Sequence, residues 1–316
     1  MRILVYIEKS NVRGGIEVFA ERHVAELRAD GHEVEVINDS QTIKQSNNQT
    51  IDEIVVHKCS DVATLEQFPS EKTIYYVHDH EPICPRTYAY TPLKHNCTRP
   101  GGVWPCLFCA PLCRSWKAAL GRVLSQRRRI AAISRFKKIV VISNFMTSRL
   151  VANGLDAARI EVKPPEIAAL QLATHDLQLA ATPIDLLYVG QLIRGKGVQL
   201  LLQAMARMKT LRTLDVVGTG NMEGKLKALA GSLGLADRVR FNGFQRNPQE
   251  WMRRAACVVV PSFWQEPYGL VAAEAVALGR SVVAFAIGGL PEACGGKATL
   301  VPPGDVDALA KALEVK

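Results

Sequence analysis

Residues 261–275 decide the fold of this chain, and they read Pro261-Ser262-Phe263-Trp264-Gln265-Glu266-Pro267-Tyr268-Gly269-Leu270-Val271-Ala272-Ala273-Glu274-Ala275. The apolar run 257–260 before them is typical of a buried parallel strand. A loop with two aromatic residues follows, and then an Ala-rich helix. Strand, loop and helix in this order indicate one unit of an α/β fold.

This stretch also carries candidate site residues. Glu266 lies in the loop, and Glu274 lies about one turn into the helix. The helix start offers backbone N–H donors that suit an anion. These donors belong to Tyr268, Gly269 and Leu270. Donors for a phosphate beside two acceptors for hydroxyl groups predict a sugar-nucleotide site. The alternative is an ordinary strand, turn and core helix with two solvated glutamates.

The composition indicates a two-domain globular protein. The chain has 316 residues, of which 48% are hydrophobic, and no apolar run is long enough to span a membrane. Residues 1–6 are typical of a strand rather than a signal peptide. We therefore expect a cytoplasmic protein whose eight cysteines are reduced.

The net charge of +9 is concentrated in residues 114–138, which hold nine Lys or Arg and no acidic residue. The rest of the chain is balanced, with 30 basic and 30 acidic residues. One basic segment in a balanced chain argues for a local anionic partner and against a nucleic-acid binder. Its helical spacing suits the inner surface of an anionic membrane, although a solvated helix face is the alternative.

The first half begins with a strand, Gly14-Gly15, a helix and a second strand. This order predicts a doubly wound parallel sheet, and the paired glycines let a ligand approach the backbone. The alternative is a mere tight turn. GxGxxG is missing, which excludes a nicotinamide or flavin fingerprint. We predict an N-terminal domain at 1–165, a linker at 166–183 and a C-terminal domain at 184–316.

Two histidines, His78 and His80, follow the strand Thr73–Val77 and flank Asp79. Ligands of such sheets bind beyond the carboxyl ends of the strands. A site role and a structural role are both open for these side chains.

Five cysteines crowd into residues 84–113 among many turn residues: Cys84, Cys97, Cys106, Cys109 and Cys113. A loop with such spacing can hold a structural zinc through its thiolates, although no standard finger pattern matches. Free thiols and a disulfide are the alternatives.

The second half opens with a strand that ends at Gly190, followed by Arg194-Gly195-Lys196-Gly197 and a helix. Fixed positive charge in a glycine-rich turn at a helix start suits a diphosphate. GxxxxGK[ST] is absent, so the turn is not a P-loop. The alternative is a solvated basic turn.

Together these motifs resemble glycosyltransferase family 4, a family of retaining enzymes. The motifs are Gly14-Gly15, Gly190 with 194–197, Gly218-Thr219-Gly220, the stretch 261–275, and Gly288-Gly289-Leu290-Pro291-Glu292. The resemblance covers nearly the whole chain and is strongest in the second half. It implies the GT-B fold, in which two Rossmann-like, doubly wound parallel-sheet domains face each other across a cleft.

The resemblance also implies roles for single residues. Arg194 and Lys196 would neutralise the donor diphosphate, Glu274 would hold the ribose hydroxyls, and Glu266 would contact the transferred sugar. The backbone would line the sugar and the phosphate at Tyr268, Gly269 and Leu270, and the turn at Gly14 and Gly15 would approach the phosphate. His78 or His80 would touch the donor sugar, and His80 is preferred because Glu81-Pro82 follows it as in some relatives.

The implied reaction is metal-independent transfer of a hexose, with retention, from a nucleotide sugar to a glycan or lipid-linked acceptor. The leaving phosphate takes the acceptor's proton, so Glu266 positions the sugar rather than attacking it. Charge on the departing diphosphate would be stabilised by Arg194, Lys196 and a helix N-terminus. Alternatives are a non-catalytic nucleotide-sugar-binding or scaffold protein, and an epimerase or phosphorylase of the same fold, which the spacing of the two glutamates disfavours. The family usually continues with a C-terminal helical tail, which we expect this chain to lack.

Overall fold

The computed structural model of the chain divides into two compact units, Met1–Pro165 and Glu166–Lys316. Each unit is built on one six-stranded parallel sheet. The structure describes residues 1–8, 15–38, 50–85, 89–91, 96–99, 106, 109, 116–165, 167 and 183–315. Among the helices in these ranges, none is long and apolar enough to cross a membrane.

The first unit has the sheet order β2-β1-β3-β4-β5-β6. Its strands are β1 (Arg2–Ile7), β2 (Glu33–Ile37), β3 (Glu53–Lys58), β4 (Thr73–Val77), β5 (Lys138–Val141) and β6 (Ile160–Val162). Its helices are α1 (Gly15–Ala29), α2 (Val62–Leu65), α3 (Trp116–Ile133) and α4 (Asn144–Val151). Ser143 is the N-cap of α4, since its hydroxyl accepts from the N–H of Met146 at 3.1 Å.

The second unit has the sheet order β12-β11-β10-β7-β8-β9. Its strands are β7 (Ile184–Val189), β8 (Leu214–Val217), β9 (Val239–Phe241), β10 (Ala255–Val260), β11 (Ser281–Phe285) and β12 (Thr299–Val301). Its helices are α5 (Val198–Arg207), α6 (Glu223–Ser232), α7 (Pro248–Arg254), α8 (Leu270–Ala277), α9 (Leu290–Cys294) and α10 (Val306–Glu314). The short helix α9 contains the last three residues of the motif 288–292.

Apolar residues cover both faces of each sheet, which explains the continuous hydrophobic runs in the strands. On β1, Leu4 packs into one core cluster of its unit and Ile3 into another. On β10, Val259 and Val258 divide between two clusters in the same way. The prediction of two doubly wound α/β units is therefore confirmed at the level of each unit.

The strand order places one reversal point in each sheet. In the second sheet the chain runs outward from β7 through β8 and β9, and then returns to add β10 on the other side of β7. The first sheet has the same reversal between β1 and β3. Loops after the two strands at a reversal point separate and leave a crevice at the carboxyl edge, where ligands of such sheets bind.

Candidate functional site

The two loops at the reversal point of the second sheet pack directly on each other. These are residues 190–197 after β7 and 261–269 after β10. The N–H groups of Phe263 and Trp264 donate to the carbonyl of Gly195 at 3.1 and 3.3 Å. Gly197 has a left-handed φ of 78°, and a Cβ there would lie 1.8 Å from the carbonyl oxygen of Pro261. Glycine is required at 197 because both the conformation and the close backbone approach exclude a side chain.

A buried carboxylate lies between these loops. Glu266 is 7% exposed. Its Oε1 accepts from Nζ of Lys196 at 2.6 Å, from the hydroxyl of Ser262 at 2.6 Å and from the indole N–H of Trp264 at 2.8 Å. Lys196 also lies over the indole ring, with Nζ 4.9 Å from its centroid. Trp264 therefore orients both partners of the ion pair, through its N–H and through its ring face.

The electrostatics keep this carboxylate ionised. Burial alone raises the pKa of the Glu266 carboxyl, but the charge of Lys196 and hydrogen bonds from Lys196, Ser262 and Trp264 outweigh it, and the pKa lies below its usual range. Burial, with the nearby Glu266 charge, raises the pKa of Tyr188 above its ordinary value. The site therefore has a fixed ion pair at neutral pH.

The turn after β11 supports the Glu266 loop from the other side. The N–H of Gly289 donates to the carbonyl of Glu266 at 2.7 Å. At Gly288, where φ is 60°, an added Cβ would lie 2.3 Å from that same carbonyl oxygen. Three of the glycine motifs that the sequence analysis singled out thus meet at one residue, Glu266: 194–197, 261–275 and 288–292.

The other residues predicted for the donor site lie at the start of helix α8 or on it, except for Arg194, which lies on the loop after β7. Gly269, with φ 119°, precedes Leu270 at the start of the helix, and Tyr268 is partly exposed. Glu274 is also partly exposed, and its Oε2 accepts from Nε2 of Gln249 at 3.4 Å. The side chain of Arg194 is exposed. Gln249, on α7, was not foreseen from the sequence, since the contact depends on how α7 packs beside α8.

In the first unit, the two strand-end histidines occupy different surroundings. His80 is 2% exposed, and its ring stands edge-on to Phe145, 6.0 Å between centroids. His78 is partly exposed and lines a hollow at the end of β4 together with His57 and Asp79. Burial raises the pKa of the Asp79 carboxyl to about 6. Of the predicted glycines, Gly15 is the first residue of α1, and Gly14 lies outside the described residues.

His78 belongs to a row of imidazoles that sequence reasoning missed. Nε2 of His78 lies 3.1 Å from Nδ1 of His57, and Nε2 of His57 lies 3.0 Å from Nδ1 of His23. The three residues come from the end of β4, from β3 and from α1. Their contacts follow from strand order and helix packing, and the sequence separation between them carries no such signal.

The cysteine-rich loop is described only in part. Cys84, Cys97, Cys106 and Cys109 are each partly exposed, and Cys113 lies outside the described residues. In the ranges that the structure covers, no group of three or more metal-ligating side chains comes together. A zinc site that includes Cys113 stays a prediction.

Ion pairs account for four cations of the basic segment 114–138. Salt bridges join Arg128 to Glu66 at 2.5 Å, Arg129 to Glu81 at 2.8 Å, Lys137 to Glu53 at 3.1 Å and Lys138 to Glu161 at 2.7 Å. Arg122, Arg127 and Arg135 are exposed. Arg114 lies outside the described residues, and the side chain of Lys117 is not described.

Comparison with known proteins identifies the family that the second unit resembles. Residues 183–315 match the family Glycosyl transferases group 1. This segment contains both loops around Glu266 and the helix with Glu274. It ends within the second unit and leaves the first unit outside the match.

Curated relatives support this family over part of their length. An uncharacterised glycosyltransferase of Methanocaldococcus jannaschii is 37% identical over 111 residues, which are 34% of this chain and 28% of that protein. A D-inositol 3-phosphate glycosyltransferase of Streptomyces griseus is 33% identical over 168 residues, which are 51% of this chain and 34% of that protein. The chain thus spans only a minority of the length of the curated relatives it matches.

Solved structures with a similar fold cover nearly the whole chain. Anabaena HepE in complex with UDP has a TM-score of 0.70 at 20% identity, covering 100% of this chain and 89% of that one. WaaG, a glycosyltransferase involved in lipopolysaccharide biosynthesis, has a TM-score of 0.63 at 16% identity, covering 99% and 90%. These likenesses confirm the predicted GT-B fold class.

Proposed function

We propose that this protein is a retaining glycosyltransferase that moves a sugar from a nucleotide-sugar donor to a glycan or lipid-linked acceptor. The observation that carries the proposal is the ion pair of Lys196 with the buried Glu266, set between two glycine-rich loops at the reversal point of the second sheet. The group 1 glycosyl transferase match covers the same loops. HepE, whose fold is similar, was solved with UDP and with UDP-glucose.

The roles follow from charge and accessibility. Breaking a sugar–phosphate bond leaves negative charge on the diphosphate, and Lys196 and Arg194 would stabilise it together with the start of α8. Glu266 would hold Lys196 through Oε1 and accept from a sugar hydroxyl through Oε2. Glu274, partly exposed on α8, would accept from the ribose hydroxyls. No step in this scheme requires a metal ion or a protein nucleophile.

We also propose that the protein binds an anionic membrane surface through the exposed side of α3 and that its acceptor lies at this surface. Leu124 is 48% exposed on this helix, Arg122 and Arg127 are exposed as well, and the exposed Arg135 lies just beyond the helix. An exposed apolar side chain with exposed positive charges suits a surface of acidic lipids.

The test of the donor site is a screen of UDP-, GDP- and ADP-sugars for binding and for slow hydrolysis. A matching nucleotide sugar at 100 times its Kd should stabilise the protein by about 2.7 kcal/mol. We expect Lys196→Ala and Glu274→Ala to weaken binding at least about tenfold each, the loss of a charge-assisted contact.

Lys225→Ala is the matched control, because Lys225 is an exposed lysine of the same unit, on α6 rather than on either loop. It should bind like the unmodified protein. Binding of no nucleotide sugar, or equal binding by all three variants, would reject the proposed donor site. Binding without hydrolysis or transfer would instead support a non-catalytic nucleotide-sugar-binding protein.

A further inference from the structure

Four side chains of the first unit form a continuous hydrogen-bonded row. The hydroxyl of Tyr76, on β4, lies 3.4 Å from Nε2 of His23 on α1. Nδ1 of His23 lies 3.0 Å from Nε2 of His57, and Nδ1 of His57 lies 3.1 Å from Nε2 of His78. His23 and His57 thus each direct both ring nitrogens toward a neighbour in the row. His78 lies at the end of the row and contacts it through Nε2.

The three rings are neutral at physiological pH. His57 is 1% exposed, and burial, reinforced by the neighbouring imidazoles, holds its pKa well below the usual range. Burial lowers the pKa of His23 to about 4, with Lys163 adding to the shift, and that of His78 to about 3. A neutral imidazole carries one N–H and one acceptor nitrogen, so each ring must donate on one side and accept on the other.

The hydrogen bonds of such a row can all be donated in one of only two directions, toward His78 or toward Tyr76. The tyrosine selects the direction toward His78. A phenol hydroxyl is a stronger acid than a neutral imidazole N–H, and an imidazole nitrogen is a better acceptor than a phenol oxygen. Tyr76 therefore donates to Nε2 of His23. The proton of His23 is then on Nδ1 and is donated to His57, whose own Nδ1 proton is donated to His78.

We propose that Tyr76, His23 and His57 are positioning residues that hold His78 in its Nδ1–H form, as a neutral hydrogen-bond donor at the end of β4. Free histidine side chains favour the Nε2–H form in water, so the row selects the less common tautomer. Phe19 fixes the ring plane from one side, with its centroid 4.9 Å from that of His78.

This inference rests on the proposed transferase function and adds a specificity element to it. The group that His78 recognises would be an oxygen acceptor, such as a hydroxyl of a sugar substrate. A sugar ring that loses a phosphate gains positive charge, and a histidinium beside it would repel that charge. A hydrogen-bond donor that stays neutral, such as the Nδ1–H form of His78, contacts the hydroxyl without this repulsion. Lys58, Asp79 and Glu81 are the charged residues that line the same hollow.

The tautomer is measurable without any substrate. Long-range ¹H–¹⁵N correlation spectra of histidine-labelled protein at pH 7 should show His23, His57 and His78 protonated on Nδ1. Tyr76→Phe keeps the ring and removes the hydroxyl, so His78 should shift toward the Nε2–H form. Nε2–H at His78 in the unmodified protein, or a spectrum that Tyr76→Phe leaves unchanged, would overturn the inference.

Kinetics supply the second readout. With the donor found by the screen, Tyr76→Phe should lower kcat about five- to tenfold, the size expected for one hydrogen bond that matters in the transition state, with KM little changed. Tyr6→Phe is the control, because Tyr6 is another buried tyrosine of the same sheet, packed edge-on to Phe68 at 5.4 Å. It should change neither the spectrum nor kcat. If no nucleotide sugar is turned over, the transferase proposal fails, and the spectra alone decide whether the row holds His78 in the Nδ1–H form.

Discussion

Glu266 combines burial, charge and several hydrogen bonds in one side chain. Lys196, with 23% of its side chain exposed, is its counter-ion, while Ser262 and Trp264 share the same carboxylate oxygen. Removing one partner of a buried pair leaves the other charge uncompensated, which costs more than losing a surface pair. The strength of this pair can therefore be tested by a substitution that removes only the charge.

We expect Glu266→Gln to lower the free energy of unfolding at pH 7 by about 1–3 kcal/mol, because Gln still accepts hydrogen bonds but no longer balances Lys196. The pKa of Glu266 is depressed in the folded protein, so its contribution is present above the unfolded pKa and is lost as the pH falls through the folded pKa. The difference in free energy of unfolding between the unmodified protein and the variant should therefore be largest above about pH 5 and should shrink below about pH 4. Urea denaturation at several pH values measures it.

Asp307→Asn provides the control, since Asp307 pairs with Arg207 at 2.7 Å with 71% of its side chain exposed. Exposed pairs contribute about 0–1 kcal/mol. A loss for Glu266→Gln no larger than for this surface variant would show that the buried pair does not stabilise the loops.

Helix α3 shows that the positive charges counted in a sequence are not all equally available to a partner. The segment 114–138, with nine cations and no acidic residue, suggests one uniform basic surface, but on α3 Arg128 and Arg129 form ion pairs with Glu66 and Glu81. Arg129 is 7% exposed and also donates to the carbonyl of Ser60. The part of the helix that can meet a membrane is therefore narrower than the sequence indicates.

We expect the triple variant Arg122→Gln, Arg127→Gln and Arg135→Gln to bind anionic liposomes about 100-fold more weakly, since each cation near such a surface contributes about 1 kcal/mol. Sedimentation with vesicles that contain an acidic phospholipid, at low and at high salt, measures this. The effect should fade at high salt because exposed charges are screened.

The control removes the same net charge elsewhere, with Lys225→Gln, Lys297→Gln and Lys311→Gln on the exposed surface of the second unit. This variant should keep most of its liposome binding. Equal losses for both triple variants would mean that net charge, rather than α3, attracts the protein to lipid.

For the molecule as a whole, the histidine row and Asp79 make the free energy of unfolding depend on pH in opposite directions. His23, His57 and His78 have depressed pKa values, so the unfolded chain binds protons that the folded protein does not. As the pH falls below about 6.5, each ring lowers the free energy of unfolding by up to about 1.4 kcal/mol per pH unit, down to about pH 4 for His23 and about pH 3 for His78. The pKa of Asp79 is raised to about 6, so this group acts in the reverse sense and costs stability as the pH rises from about 4 to about 6.

We expect the net stability to fall on acidification, because three histidines outweigh one aspartate. Asp79→Asn should raise the free energy of unfolding by about 1–2 kcal/mol at pH 7, should leave it nearly unchanged at pH 4, and should make the loss between them steeper. Asp237→Asn, at an exposed aspartate of the second unit, should leave the profile unchanged. If the free energy of unfolding changed with pH in the same way in Asp79→Asn and in the unmodified protein, this account of Asp79 would be contradicted.

The strands and most helices were predictable because their signals are local. Apolar runs such as 257–260 indicate buried parallel strands, and Ser143 marks a helix start. The short helix α2, capped by Asp61, was missed because four residues are too few for a periodic pattern. The candidate donor residues were also identifiable, since glycines and charges recur at fixed spacing in 194–197 and 261–275.

By itself, the sequence determined the α/β fold class and the two loops that carry Lys196 and Glu266, because backbone conformation and apolar patterning depend on neighbouring residues. The contacts of these side chains follow from the tertiary structure. It placed Trp264 against the Lys196–Glu266 pair, buried Arg129 of the basic segment against Glu81, and joined His23, His57 and His78 into one row. Such contacts depend on strand order and helix packing over tens to hundreds of residues, so they arise only when the sheets are assembled.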